Sequence, residues 1–232
     1  MKKMALVLAA VLASGMVLTA CGGSGNGAKE TTGNQASTTT TTTTGGLDLA
    51  VQIGPDPETV DPALNTAIDA SNVILHAFET LLTFDENNDI VPGQAESFDV
   101  SDDGLTYTFH LRDGLKWSDG SDFTAEDFVY SWKRLADPMT AAPYAADMLS
   151  MVKGYDEAAA GDIDALGVSA PDAKTLVVEL SSPCVYFDKI ITHASMAPVK
   201  KDVVDANGDQ WALAPETYIS NGPLKMIEWV PG

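Results

Sequence analysis

The groups in this sequence best able to do chemistry are two thiols, Cys21 and Cys184, and three imidazoles, His76, His110 and His193. A nucleophilic thiol needs a histidine partner, which the sequence alone does not place beside either cysteine. Cys184 stands in Ser182-Pro183-Cys184-Val185-Tyr186-Phe187, whose apolar residues suit a buried small hydrophobe. His76 falls off the apolar face of a predicted helix and reads as solvated, and His110 falls on the polar face of a predicted strand. His193 follows the mostly apolar stretch Tyr186 to Ile191 and is the histidine best placed for a cleft, with a structural role as the alternative. Asp99-x-Ser101-x-Asp103-Gly104 opens like a calcium loop, but its last ligand would be His110, where a bidentate Glu is needed. Asp85-Glu86-Asn87-Asn88-Asp89 is followed by Ile90 where such a loop needs Gly. Both read as turns. Glu126-Asp127 suits a helix N-terminus, where negative charge complements the dipole. There is no Cys-x-x-Cys, His-Glu-x-x-His, Gly-x-Ser-x-Gly or Walker loop. None of these clusters is evidence for general acid–base catalysis, and the expectation is a chain that is not an enzyme and takes no cofactor or metal.

Cys21 has a different chemistry. It follows a basic start, Lys2-Lys3, and an apolar run from Ala5 to Ala13 interrupted by Ser14-Gly15. That run is too short for a permanent membrane span and has the organisation of a secretory signal. The segment ends in Leu18-Thr19-Ala20-Cys21, which resembles the lipobox of bacterial lipoproteins. The resemblance implies residues 1–20 as signal peptide and an acylated Cys21 as the first mature residue. Two or more acyl chains anchor a protein stably where one would not. A plain secreted protein is the alternative. Residues 22–46 are mostly Gly, Ser, Asn and Thr, with Thr38 to Thr44 unbroken, and offer nothing to bury. As a flexible tether they would reach roughly 25–30 Å. The Gly23-x-Gly25-x-Gly27 spacing lacks the flanking strand and helix of a phosphate loop.

The 232 residues carry 33 acidic against 13 basic side chains, a formal net charge of −20. Phosphate contacts need basic patches, so nucleic acid is excluded as a partner. The part after the signal is long enough for one large domain or two small ones.

Several elements are legible in the body that begins at Leu47. Leu47, Leu49, Val51 and Ile53 alternate as in a strand, stopped by Gly54-Pro55-Asp56-Pro57. From Asp69 to Leu82, the residues Val73, Ile74, Ala77, Phe78, Leu81 and Leu82 make one helical face, with Asp69 or Ser71 as N-cap. Leu105, Tyr107, Phe109 and Leu111 alternate with polar residues in a half-buried strand. Asp113-Gly114 and Asp119-Gly120 form turns around Trp117. Thr124 with Asp127 makes a capping-box variant before a helix bearing Phe128, Val129, Trp132 and Leu135, ended by Pro138. Thr175 to Leu180 and Leu224 to Val230 read as further strands. Interleaved strands and helices give an α/β or α+β class.

A set of segments, in order, resembles the solute-binding proteins of oligopeptide and dipeptide ABC transporters. They are Glu58-Thr59-Val60-Asp61-Pro62-Ala63-Leu64, Phe78-Glu79-Thr80-Leu81-Leu82, Val91-Pro92-Gly93-Gln94-Ala95-Glu96-Ser97-Phe98, Leu105 to Arg112, Lys116-Trp117-Ser118-Asp119-Gly120, Thr124 to Trp132 and Ser220-Asn221-Gly222-Pro223. Phe98 departs from the Trp usual in the family. The resemblance covers residue 47 to the end. It implies an α/β fold: a type II periplasmic-binding-protein lobe, residues 47–78 and 201–232, with an inserted α+β extra domain, residues 79–200. Family members are much longer, so the resemblance implies a chain incomplete at its C-terminus, with the second lobe absent.

The function so implied is a monomeric receptor on the extracytoplasmic side of a bacterial membrane, lipid-anchored, passing oligopeptides to an ABC permease and ATPase complex. By similarity, Thr66-Ala67-Ile68 falls in the ligand-facing loop of the first lobe, Tyr144 reaches the cleft from the extra domain, and His193 lies near a side-chain pocket. The acidic residue that captures the peptide amine would belong to the second lobe. Ordinary roles for the same residues are Ile68 as core, Tyr144 as interdomain packing after Pro143, and His193 as a capping donor. The same fold with another solute (nickel, haem, pheromone or oligosaccharide) is the nearest alternative. A secreted lipoprotein hydrolase or an adhesive surface lipoprotein is the more distant one.

Overall fold

In the computed structural model of the chain, residues 50, 52 and 54–230 are described. Cys21, the tether expected to residue 46 and most of the strand expected over Leu47 to Ile53 lie outside the described residues. The first helix, α1 (Ile68–Ala77), buries Ala70, Ile74 and Ala77. It stops five residues short of the predicted end, because Phe78 is extended, with φ −113° and ψ 151°. Phe78, Leu81 and Leu82 are buried all the same, so the apolar spacing runs on through a buried segment that is not helical. The stop has a cause. The carbonyls of His76 and Ala77, which a longer helix would engage, accept hydrogen bonds from Leu224 N–H (3.2 Å) and Gly222 N–H (2.8 Å). A Cβ at position 222 would lie 2.6 Å from Ala77 O, so only glycine permits this approach. The N-cap is Ala67, with no side-chain cap bond, rather than Asp69 or Ser71. The Ser71 hydroxyl instead donates to Ala67 O at 3.0 Å.

A short antiparallel hairpin follows, β1 (Leu82–Phe84) with β2 (Ile90–Pro92). Its turn is the first calcium-like acidic run: Asp85 Oδ1 accepts from Asn87 N–H and Asp89 N–H, and Asn88 takes φ 63°. Four further strands, β3 (Ala95–Val100), β4 (Thr106–Leu111), β5 (Val168–Asp172) and β6 (Thr175–Glu179), form an antiparallel sheet in the order β3-β4-β6-β5. Register places Phe98, Phe109 and Leu176 side by side, and likewise Val100, Tyr107, Val178 and Val168. Side chains directly opposite share a face, so these residues make the apolar side of the sheet. Asp99, Thr108, Val177 and Ser169 pair on the other side, where His110 Nε2 lies 2.9 Å from Asp99 Oδ2. The alternation read from Leu105 to Leu111 is thus the sheet's two faces. The second calcium-like run is the β3–β4 turn, where Asp103 Oδ1 accepts from Ser101 Oγ–H and Leu105 N–H.

Helix α2 (Ala125–Ala136) packs on β5 and β6. Its capping box is present, with Asp127 Oδ2 accepting from Thr124 N–H at 2.8 Å. It ends at Asp137, before Pro138, because the residue preceding a proline is pushed out of helical space. Phe128, Trp132 and Leu135 are fully buried, and Trp132 Nε1–H donates to Met196 O at 3.1 Å. The connections beyond it are short: α3 (Ala145–Leu149), α4 (Tyr155–Ala159), α5 (Phe187–Ile190) and α6 (Lys201–Asn207). The strand expected over Leu224 to Val230 is absent. No neighbouring strand pairs with it among the described residues, and Leu224, Ile227 and Val230 are exposed. Apolar alternation makes a strand only where a partner takes up its backbone groups.

Candidate functional site

The loop carrying Thr66-Ala67-Ile68 is held from behind by a buried charge. Asp61, 3% exposed, accepts a two-pronged bond from Arg134 of α2, at 3.0 Å from Nη1 and 2.6 Å from Nη2. Its carboxylate also accepts from Trp211 Nε1–H (2.9 Å) and Ala63 N–H (2.9 Å). Burial opposes the charge on Arg134, but the Asp61 carboxylate outweighs it and raises the guanidinium pKa. The Asp61 carbonyl accepts from Leu64 N–H and Asn65 N–H. Asn65 Oδ1 then accepts from Ala67 N–H (2.8 Å), and its Nδ2 donates to Ser71 Oγ (2.8 Å). This chain of bonds fixes the backbone on which Thr66 and Ile68 are displayed. Thr66 is exposed, Ala67 half-buried, and Ile68 is 82% exposed at the first position of α1. The core role open to Ile68 is therefore excluded.

Tyr144 and His193 come together. Tyr144 stands at the N-cap of α3, after the turn that follows α2, in which Ala141 takes φ 52°. His193 caps the 3-10 turn Ala194–Met196. The two rings meet edge to face, 5.5 Å apart at 72°. His193 accepts at Nδ1 from Ser195 N–H (3.2 Å), so it is a capping acceptor and not the capping donor that was the structural alternative. Burial lowers its pKa and so favours the neutral ring; with Nδ1 accepting from Ser195 N–H, the proton of that ring sits on Nε2. The turn it caps packs against α1 and α2. The direct contact is thus between Tyr144 and His193, and the Thr66–Ile68 loop is linked to them through α1.

These groups are a hydroxyl, two aliphatic side chains, a phenol and an imidazole. They make apolar contact and hydrogen bonds, which is the equipment of reversible binding. Among the described residues no group of three or more His, Cys, Asp or Glu could hold a metal. Cys184 is a buried free thiol whose carbonyl accepts from Tyr107 O–H. His76 is exposed, as expected. A surface depression of about 460 Å³ lies elsewhere, lined by Trp117, Asp127, Lys200, Lys201, Asp202 and Asp205 among others. Its lysines are already paired, Lys200 with Asp119 (2.5 Å) and Lys201 with Asp205. It therefore offers little free charge to a ligand.

Two groups of supporting residues were not assigned roles from the sequence. One is the Asp61–Arg134–Trp211 cluster. The other joins three of the quoted segments: Asn221 Oδ1 accepts from Glu79 N–H (3.1 Å), Asn221 Nδ2 donates to Glu79 O (2.9 Å), and Gln94 Nε2 donates to Glu79 Oε2 (2.5 Å) and Asn221 O (3.2 Å).

Comparison with known proteins bears on this geometry. The profile of bacterial extracellular solute-binding proteins, family 5 Middle, matches residues 89–232. The chain is 42% identical over 180 residues to the periplasmic oligopeptide-binding protein OppA of Salmonella typhimurium, covering 76% of this chain and 33% of that protein. It is 35% identical over 231 residues to the oligopeptide-binding protein OppA of Bacillus subtilis, covering 99% of this chain and 41% of that protein. The crystal structure of Haemophilus influenzae OppA in complex with RPPGFSPFR superposes with a TM-score of 0.74 at 39% identity, over 77% of this chain and 35% of that one. The chain thus spans between a third and two-fifths of the length of these curated relatives, and its fold is that of part of a type II periplasmic peptide-binding protein.

Proposed function

This chain belongs to family 5 of the bacterial extracellular solute-binding proteins, and from that premise we propose that it is part of a lipid-anchored receptor that captures oligopeptides outside the membrane and delivers them to an ABC importer. The observation that carries the reading is the meeting of Tyr144 with His193, whose turn packs against α1, in a chain 42% identical to an oligopeptide-binding protein. In this reading residues 47–78 and 201–232 contribute to the first lobe and residues 79–200 form the extra domain. Thr66, Ala67 and Ile68 face the ligand from the loop that leads into α1, while Tyr144 reaches it from the extra domain and His193 lies near a side-chain pocket. Peptide main chain is held by strand-like hydrogen bonds, and side chains enter wet pockets, which yields broad specificity. Closure of two lobes around the peptide excludes water and supplies the affinity. The receptor acts as a monomer. Cys21 carries the lipid, and residues 22–46 tether the body to the membrane.

Calorimetry on the natural-length protein with a mixed tri- to pentapeptide library tests the ligand class. The reading predicts binding that Tyr144→Ala and His193→Ala each weaken. Absence of peptide binding by the wild-type protein contradicts it. Mass spectrometry of the mature N-terminus tests the anchor: an acylated Cys21 supports it, and an unmodified N-terminus at another residue rejects it.

A further inference from the structure

His193 Nδ1 accepts the Ser195 N–H at the start of the 3-10 turn Ala194–Met196. Nδ1 accepts a hydrogen bond only when it carries no proton of its own, so this bond exists in the neutral ring alone. We propose that His193 is a proton-operated latch: neutral, it closes the turn, and protonated, it frees the Ser195 N–H and opens the turn from its first residue.

The surroundings give the latch consequence. Ser195 is buried, and its Oγ has no hydrogen-bond partner among the described residues. Loss of the imidazole acceptor therefore leaves a second polar group unpaired in the interior, which is costly. The turn packs against α1 and α2, and its last residue, Met196, accepts the Trp132 indole N–H. Opening would disturb both helices, including the one that begins at Ile68.

The electrostatic setting is simple. Tyr144 is the titratable group against the ring. The neighbouring elements carry Asp69 and His76 on α1, Glu126, Asp127, Lys133 and Arg134 on α2, Asp147 on α3, and Asp188 and Lys189 on α5. None of these charges displaces the His193 titration. Burial does, and it lowers the pKa. The folded chain therefore binds this proton less tightly than the unfolded chain. The latch's stabilisation is complete above the ordinary histidine value of about 6.5 and is lost as pH falls through the lower folded value. Under the function proposed above, the latch would tie ligand capture to acidity, but it stands without that reading.

The test is ¹H–¹⁵N NMR of the full chain, labelled on histidine and serine, titrated over about pH 5 to 8. The expected result is a His193 ring protonated on Nε2 at neutral pH, titrating below about 6.5, with the Ser195 amide shifting on the same curve. Urea unfolding of two variants completes it. His193→Asn keeps an acceptor that does not titrate and should remove His193's share of the pH slope. His193→Ala should raise the unfolding constant about five-fold at neutral pH, as loss of a cap does. A proton on Nδ1 at neutral pH, a Ser195 amide blind to the titration, or a His193→Asn variant with the wild-type slope would each overturn the proposal.

Discussion

Removing the Asp61 carboxylate should be among the most damaging single changes in this chain. In Asp61→Ala the Arg134 guanidinium, with its side chain 14% exposed, loses both of its short bonds to Asp61. The Trp211 indole N–H and the Ala63 N–H lose their acceptor as well. Breaking a buried ion pair by deleting one partner costs about 3–5 kcal/mol. Each orphaned buried donor adds about 1–3 kcal/mol where water does not reach it. The costs overlap, because the four bonds share one carboxylate, so the expected loss is about 4–6 kcal/mol. That is a large part of a typical stability of about 5–15 kcal/mol. The assay is urea unfolding followed by tryptophan fluorescence, with Trp211 stacked on Tyr218 as a reporter within the cluster. A double-mutant cycle with Arg134→Met isolates the pair. Asp61→Ala should cost much less in the Arg134→Met background, where no buried charge is left behind. A loss below about 1 kcal/mol, on the scale of a surface substitution, or a cost unchanged by Arg134→Met, would refute the reasoning.

Three other expectations follow from particular contacts. Trp132→Ala should cost about 3–5 kcal/mol in the same assay, through the cavity it leaves and the unpaired Met196 carbonyl; a near-neutral effect would mean the core of α2 is misassigned. Gly222→Ala should destabilise by at least about 2 kcal/mol, because its Cβ would sit 2.6 Å from the Ala77 carbonyl oxygen, and equal urea midpoints for the two proteins would contradict the close approach. Burial works to raise the Asp119 pKa, but hydrogen bonds from Lys200 and Ser121 bring it down to about 2. Its stabilisation is therefore present above its unfolded value of about 3.8 and lost as pH falls through about 2, so Asp119→Asn should flatten the acid limb of a stability–pH curve in that window.

The sequence was most informative where pattern and burial coincide. In β4, Tyr107, Phe109 and Leu111 alternate with Thr106, Thr108 and His110 because the sheet has one covered face. In α2, Thr124, Asp127 and Pro138 bracket a run whose apolar face is the buried face. It was least informative where a distant segment decides. α1 stops at Ala77 because residues 222 and 224 take its last carbonyls, and apolar spacing holds no record of that. Leu224 to Val230 alternates without a strand to pair with. Tyr144 and His193 were named as candidates by resemblance alone. Their ring contact and the acceptor role of His193 depend on the backbone geometry of two separate segments, the start of α3 and the turn after His193. Asp61 could be quoted as part of a segment, but its partners lie 73 and 150 residues away.

The central claim is that Thr66–Ile68, Tyr144 and His193 line the ligand site. The most direct measurement is photo-crosslinking of the natural-length protein with a short peptide carrying a photoreactive side chain, followed by mass-spectrometric mapping of the attachment points. The account predicts crosslinks at residues 66–68, 144 and 193, competed away by unlabelled peptide. Competable crosslinks confined to the depression around Trp117 and Lys200, with none at those five residues, would contradict it.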